Sequence, residues 1–218
     1  HGHVFREIGD GLRTVARHRL LRAFAGYRVM GRFFGNGIGA LYALYGLHNL
    51  ALGPVLLGVT IGIGGASNLL GTFLVGPLTR RYGVGRTMLA GAAVGSVTGF
   101  LVPLAHGPLL LGFGMLALCQ SFDVTQPIYE VNALSLLQTI TPPQLLGRVT
   151  AALQTLESGV APLGAIAAGL LAGHIGVRPT LFLAAIGGSP SILWLVFSPL
   201  ATMRAAPNER SSVGMPAT

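Results

Sequence analysis

The stretch from Phe33 to Thr79, FFGNGIGALYALYGLHNLALGPVLLGVTIGIGGASNLLGTFLVGPLT, contains no Asp, Glu, Lys or Arg. A bilayer span needs about 20 predominantly apolar residues, so this run is long enough for two. His48, Asn49 and Gly53-Pro54 supply a turn in its middle. Two more charge-free runs follow, Thr87 to Phe122 and Pro179 to Met203; the first holds two spans and the second one. The whole chain is 51% hydrophobic and 9% charged, where a soluble domain carries about 25% charged residues. Too few charges remain to solvate a globular surface. The fold class is therefore an all-α membrane protein, a six-transmembrane-helix bundle. Its spans are expected near 23–46, 53–78, 87–105, 109–136, 149–173 and 179–202. Arg80, Arg81, Gly83 and Arg86, then His106-Gly107-Pro108, Thr141-Pro142-Pro143 and His174 to Pro179 mark the remaining breaks.

The formal net charge is +8, and every basic residue is Arg. The arginines flank apolar runs instead of forming a stripe on a soluble face, which argues against nucleic acid as a partner and for topology signals. With the N-terminus in the cytoplasm, Arg6, Arg13, Arg17, Arg19, Arg22, Arg80, Arg81, Arg86, Arg148, Arg204 and Arg210 fall inside and only Arg178 outside. That asymmetry predicts a multi-pass protein of the cell membrane, in contact with membrane lipid, with both termini cytoplasmic. Residues 1–22 read as a cytoplasmic amphipathic linker helix. Phe5, Ile8, Leu12, Val15 and Ala16 recur at helical spacing, which suits a helix on the membrane surface or a solvated linker helix. Residues 23–202 are the transmembrane bundle, and 203–218 a disordered cytoplasmic tail. A start on His-Gly-His suggests a fragment or a processed product.

Polar residues at membrane depth are the candidates for function, because hydrocarbon penalises them unless they are paired, protonated or in a water-filled cavity. The fourth span carries Gln120, Asp123 and Glu130. Seven residues is nearly two helical turns, so both carboxylates share a face. Pro127 between them removes a backbone donor and frees a carbonyl. The first span carries a stripe of Arg28, Arg32 and Asn36, and the fifth carries Gln154 and Glu157. Arg32 is expected to pair with Glu130 or Glu157, and Arg28 to snorkel to the surface. Small residues recur every four positions at Gly31, Gly35 and Gly39, at Gly91, Gly95 and Gly99, and at Ala161, Ala165, Gly169 and Gly173. Such stripes predict close helix packing. Phe33, Phe34, Tyr42, Tyr45 and Met115 would suit either a cavity wall or a lipid-facing surface.

Other chemistries lack their residues. There is no His-Glu-x-x-His, no Walker loop and one cysteine, Cys119. No catalytic residue, cofactor or metal is expected, and the chain is not expected to be an enzyme.

The turn Gly76-Pro77-Leu78-Thr79-Arg80-Arg81-Tyr82-Gly83-Val84-Gly85-Arg86 reads as a helix ended by Gly76, a basic loop and a turn at Gly83. It resembles the signature loop of the major facilitator superfamily, with Gly76, Leu78, Arg81, Gly83 and Arg86 at or beside its positions and Arg80 where the family has Asp. Thr141 to Ala151, with Gly147-Arg148, is similar to the loop between helices 10 and 11 of that family's drug and siderophore exporters. Tyr129 to Ser135, Ala161 to Gly164 and the opening Arg6-Glu7-Ile8 to Leu20-Leu21-Arg22 extend the likeness over nearly the whole chain. The resemblance implies the C-terminal half, helices 7–12, of a major-facilitator fold. It implies secondary active, proton-coupled efflux of a small molecule by alternating access, with a missing N-terminal six-helix half as partner. One wall of the cavity would come from spans one, four and five. Asp123, Glu130, Gln120, Arg32, Asn36, Gln154 and Glu157 are the transport and proton-coupling candidates. The alternatives are a six-span substrate-binding subunit of a larger transporter, or a non-functional half-transporter fragment.

Overall fold

The computed structural model describes residues 2–198, with backbone alone for residues 2–8 and 10. The tail 203–218 and the end of the last expected span, 199–202, lie outside the described residues. Helix α1 runs Gly2–Arg17 and α2 Arg19–Leu44, and α2 is extended by a wide π turn at Tyr45–Asn49. Then come α3 (Pro54–Tyr82), α4 (Val84–Thr98), α5 (Leu101–Leu104) and α6 (Leu109–Ser121). A 3-10 turn at Phe122–Val124 leads into α7 (Thr125–Ile140), followed by α8 (Pro143–Ile175), α9 (Val177–Gly188) and α10 (Ser191–Val196). No strand occurs among the described residues.

Five stretches are long and apolar enough to cross a membrane: Pro54–Tyr82, Val84–Leu104, Leu109–Ile140, Pro143–Ile175 and Val177–Val196. They match five of the six expected spans, with ends moved by a few residues. The first expected span, 23–46, forms α2 but is not in this apolar set. Its arginines, its asparagine and its run of glycines dilute its hydropathy. Within the bundle, α2 packs against α8, α9 and α10.

Two apolar clusters hold the ends together. One gathers Leu20, Leu21, Phe24, Met88, Leu136, Val149 and Leu195 at the arginine-rich end. The other gathers Leu41, Tyr45, Leu52, Val102, Leu116 and Leu181 at the far end. Arg178 stands at that far end, where its Nε donates to the Pro103 carbonyl (2.9 Å) and its guanidinium lies over Phe182.

Helix α1 packs on α8 and α2. Val15 is buried in the first cluster, and a Cβ at Gly11 would meet the Arg148 carbonyl. Gly11 and Val15 are thus covered by protein, while Leu12 and Ala16 of the same apolar set are exposed. The signature stretch also differs from expectation. Gly76 does not end a helix: α3 continues through Gly76-Pro77 to Tyr82, and Gly83 alone makes the turn. Pro77 is tolerated where a lipid-spanning helix can re-satisfy the freed backbone group locally.

Gly83 has φ 83° and ψ 156°, a conformation that only glycine adopts readily. Thr87 four residues on donates its hydroxyl to the Gly83 carbonyl (2.8 Å). The same device recurs at the opposite end of the bundle. Gly176 has φ 92° and ψ 161°, and Thr180 donates to its carbonyl, again at 2.8 Å. The two segments read Gly83-Val84-Gly85-Arg86-Thr87 and Gly176-Val177-Arg178-Pro179-Thr180. Each joins two antiparallel helices through one residue.

Candidate functional site

Between the two apolar clusters lies a cavity of about 660 Å³, within the range of small-molecule sites. Helices α2, α4, α7 and α9, the 3-10 turn and the start of α10 line it. From α8 only Ala165 reaches it. The expected wall of spans one, four and five is therefore corrected to spans one, three, four and six. Span five stands behind α2 and acts through Glu157.

The α2 stripe lies where its spacing placed it: Arg28, Arg32 and Asn36 all face the cavity. Asn36 donates to the Arg32 carbonyl at 2.9 Å, which holds the carboxamide along the helix. Glu157 is 8% exposed. The Arg28 Nε lies 2.6 Å from its Oε1 and the Arg32 Nε 3.3 Å from its Oε2. Arg32 also reaches Glu130, with 3.7 Å between Nη2 and Oε1. Arg32 thus touches both of its expected partners. The snorkelling expected of Arg28 does not occur. A carboxylate buried this deeply needs a cation, and Arg28 is close enough to supply one.

Gln154 is exposed and does not line the cavity. Three residues before Glu157, it sits about 60° around the helix from the face that meets α2.

Asp123 lines the cavity from the 3-10 turn. Pro127 has no N–H for the Asp123 carbonyl four residues back, and the regular helix is interrupted there. Glu130 lines the same cavity from α7, so both carboxylates face one space although the helix between them is broken. A Cβ at Gly64 of α3 would sit 2.9 Å from both the Asp123 Oδ2 and the Gln120 Nε2. Gln120 is therefore wedged between α6 and α3, outside the cavity lining. Arg28, Arg32, Glu130 and Glu157 offset one another. Asp123 makes no ion pair or hydrogen bond among the described residues.

The sequence did not single out Tyr27, Tyr129, Phe122, Ser96 or Gln126, which also line the cavity. The Tyr27 and Tyr129 rings pack at 4.6 Å between centroids. The Tyr129 hydroxyl is buried and has no hydrogen-bond partner among the described residues. One signal for this wall was present in the glycine stripes, which spacing alone assigned to packing. At Gly31, Gly35 and Gly39 a Cβ would meet nothing within 4 Å, and all three line the cavity. Gly91, Gly95 and Gly99 line it too, although a Cβ at Gly91 would lie 3.2 Å from the Thr125 carbonyl oxygen. On α8, Gly169 and Gly173 meet nothing. The close α2–α8 crossing is made instead by Gly164, where a Cβ would strike the Phe33 carbonyl, and by Gly37, where one would lie 3.2 Å from Ala168. Small residues make close packing possible, but they also leave empty space, and spacing alone does not separate the two uses.

Of the aromatic and methionine candidates, only Phe34 lines the cavity. Tyr45 is buried and donates to the Ala105 carbonyl, and Tyr42 donates to Thr60 at 3.1 Å. In the signature stretch, Thr79 donates to Asn132 at 2.9 Å and ties α3 to α7. The Arg81 guanidinium lies over Tyr82. Leu78 offers its carbonyl to Thr87 at 3.4 Å. Gly147 and Arg148 lie in the first turns of α8, below α1. No three of His, Cys, Asp and Glu among the described residues stand where they could hold a metal. No family model and no curated protein matches this chain.

Proposed function

We propose that the chain is the C-terminal half of a secondary active transporter of the major facilitator type, working as a proton-coupled exporter of a small molecule. The observation that carries this reading is Asp123. It is a carboxylate without a counter-ion among the described residues, set at a helix interruption and facing a cavity in the middle of the bundle. Discontinuous helices at mid-depth are where such transporters bind substrate and coupling ion. An unpaired carboxylate there suits a group that exchanges protons. On this reading α2 is the sixth span, a role supported by its length and its packing against α8, α9 and α10. The repeated helix–glycine–helix joint at opposite ends is also favourable, because halves of this superfamily are built from two three-helix units in inverted orientation. The arginine distribution supports placing the α3–α4 turn in the cytoplasm. The cavity would be completed by an N-terminal six-helix half, and the two halves would rock about the bound substrate.

The test is Asp123→Asn in the full-length protein, with efflux of a fluorescent substrate driven by an imposed proton gradient. Proton-driven efflux should be lost while the protein still inserts and elutes as a single species. Efflux undiminished across the pH range would remove Asp123 from the coupling step.

A further inference from the structure

A second cleft, of about 480 Å³, lies where α2 runs beside α10. Its residues are ordered by polarity along the helix axis. Arg19 and Arg22 stand at one end, and Met30 and Pro190 at the other, with Leu193, Trp194 and Phe197 between. From Arg19 to Met30 is a rise of about 16 Å at 1.5 Å per residue. The cleft therefore starts at the arginine-rich end and reaches well into the apolar part of the bundle. Trp194 can lie against α2 only because residue 26 is glycine, where a Cβ would meet the indole ring. Leu193, Trp194 and Phe197 are 46–73% exposed, so the apolar wall opens sideways, towards the region hydrocarbon would fill.

The polar end carries uncompensated charge. Arg19 makes one long hydrogen bond, to the Phe197 carbonyl at 3.4 Å. The Arg22 side chain makes none and forms no ion pair among the described residues. No carboxylate among the described residues lines the cleft. Two guanidiniums at the arginine-rich end of an apolar slot match one ligand class in both charge and length. We propose that this cleft binds an anionic phospholipid. Its phosphate sits at Arg19 and Arg22, and one acyl chain lies along Leu193, Trp194 and Phe197. Basic pockets between helices at the membrane surface suit such headgroups. A zwitterionic lipid would bring a second cation to a site that has no acid among the described residues to meet it. The proposal needs only a membrane-embedded bundle and stands apart from the transport reading.

Trp194 is the chain's single tryptophan, so its fluorescence reports the cleft directly. The full chain would be reconstituted into vesicles mixing phosphatidylglycerol and phosphatidylcholine, with bromine on the acyl chains of one lipid at a time. Brominated phosphatidylglycerol should quench Trp194 with a relative binding constant about fivefold higher for each arginine engaged. Arg19→Gln with Arg22→Gln should bring the two lipids to parity. Arg13→Gln with Arg17→Gln, at the same end of the bundle, should leave the preference unchanged. If the first double variant does not insert, Arg22→Gln alone, a side chain with no partner to lose among the described residues, should still lower the preference. Equal quenching by both lipids in the wild type would overturn the proposal. So would a preference that survives loss of Arg19 and Arg22, which would be a bulk surface effect. Quenching by neither lipid would place a protein segment in the cleft and also overturn it.

Discussion

Glu157 holds two guanidiniums at once, and its side chain is 10% exposed. Removing one member of such a buried pair leaves the other charge stranded, which costs about 3 kcal/mol or more. Glu157→Ala should therefore lower the unfolding free energy in detergent by about 3 kcal/mol. Glu130 and Arg32 are each nearly half exposed and 3.7 Å apart. Glu130→Gln should cost less than about 1 kcal/mol. Denaturant titration of the two variants measures both; equal losses would mean the pairing with Glu157 is not structural. The sequence supplied the members of this network but not its wiring. Arg28, Arg32, Glu130 and Glu157 are conspicuous because each is expensive in a membrane. Which of them meet depends on how α2 crosses α8, and no local pattern carries that angle.

At the scale of elements, the same dependence explains what was legible. Charge-free runs, glycine–proline turns and flanking arginines located five apolar spans to within a few residues, because hydrocarbon thickness and backbone hydrogen bonding leave little choice. The helix break at Phe122–Val124 followed from Pro127, although its position four residues upstream had to be observed. The glycine stripes do not by spacing separate contact from open space, because that depends on where the helices cross. The two classes of glycine now predict opposite behaviour. Gly164→Ala pushes a methyl into the Phe33 backbone and should destabilise the α2–α8 contact by about 1–3 kcal/mol. Gly35→Ala meets open space and should leave the melting temperature nearly unchanged. Thermal melts of both, read by the aggregation onset in detergent, test the distinction; similar shifts would remove it.

For the whole molecule, the described arginine side chains outside the helix interiors concentrate at one end, with Arg178 alone at the other. A single-cysteine test in a Cys119→Ala background reads this directly. Tyr82→Cys sits beside the Gly83 joint, and His106→Cys sits in the exposed turn at the far end. A membrane-impermeant maleimide applied to intact cells should label residue 106, and label residue 82 only after permeabilisation. The reverse pattern would invert the orientation, and equal labelling of both in intact cells would contradict a multi-pass bundle.

The joints at Gly83 and Gly176 also constrain how this bundle could move. Each connects two long helices through one residue, whose conformation is fixed and whose carbonyl is held by a threonine. Neither connection has slack. Helices α3 and α4, and likewise α8 and α9, must travel as coupled levers. Irregular backbone outside these joints includes the π turn at Tyr45–Asn49, the interruption at Phe122–Val124 and the α9–α10 break at Ser189-Pro190. Two of those three border the cavity, so a bend at either would be felt where Asp123 stands.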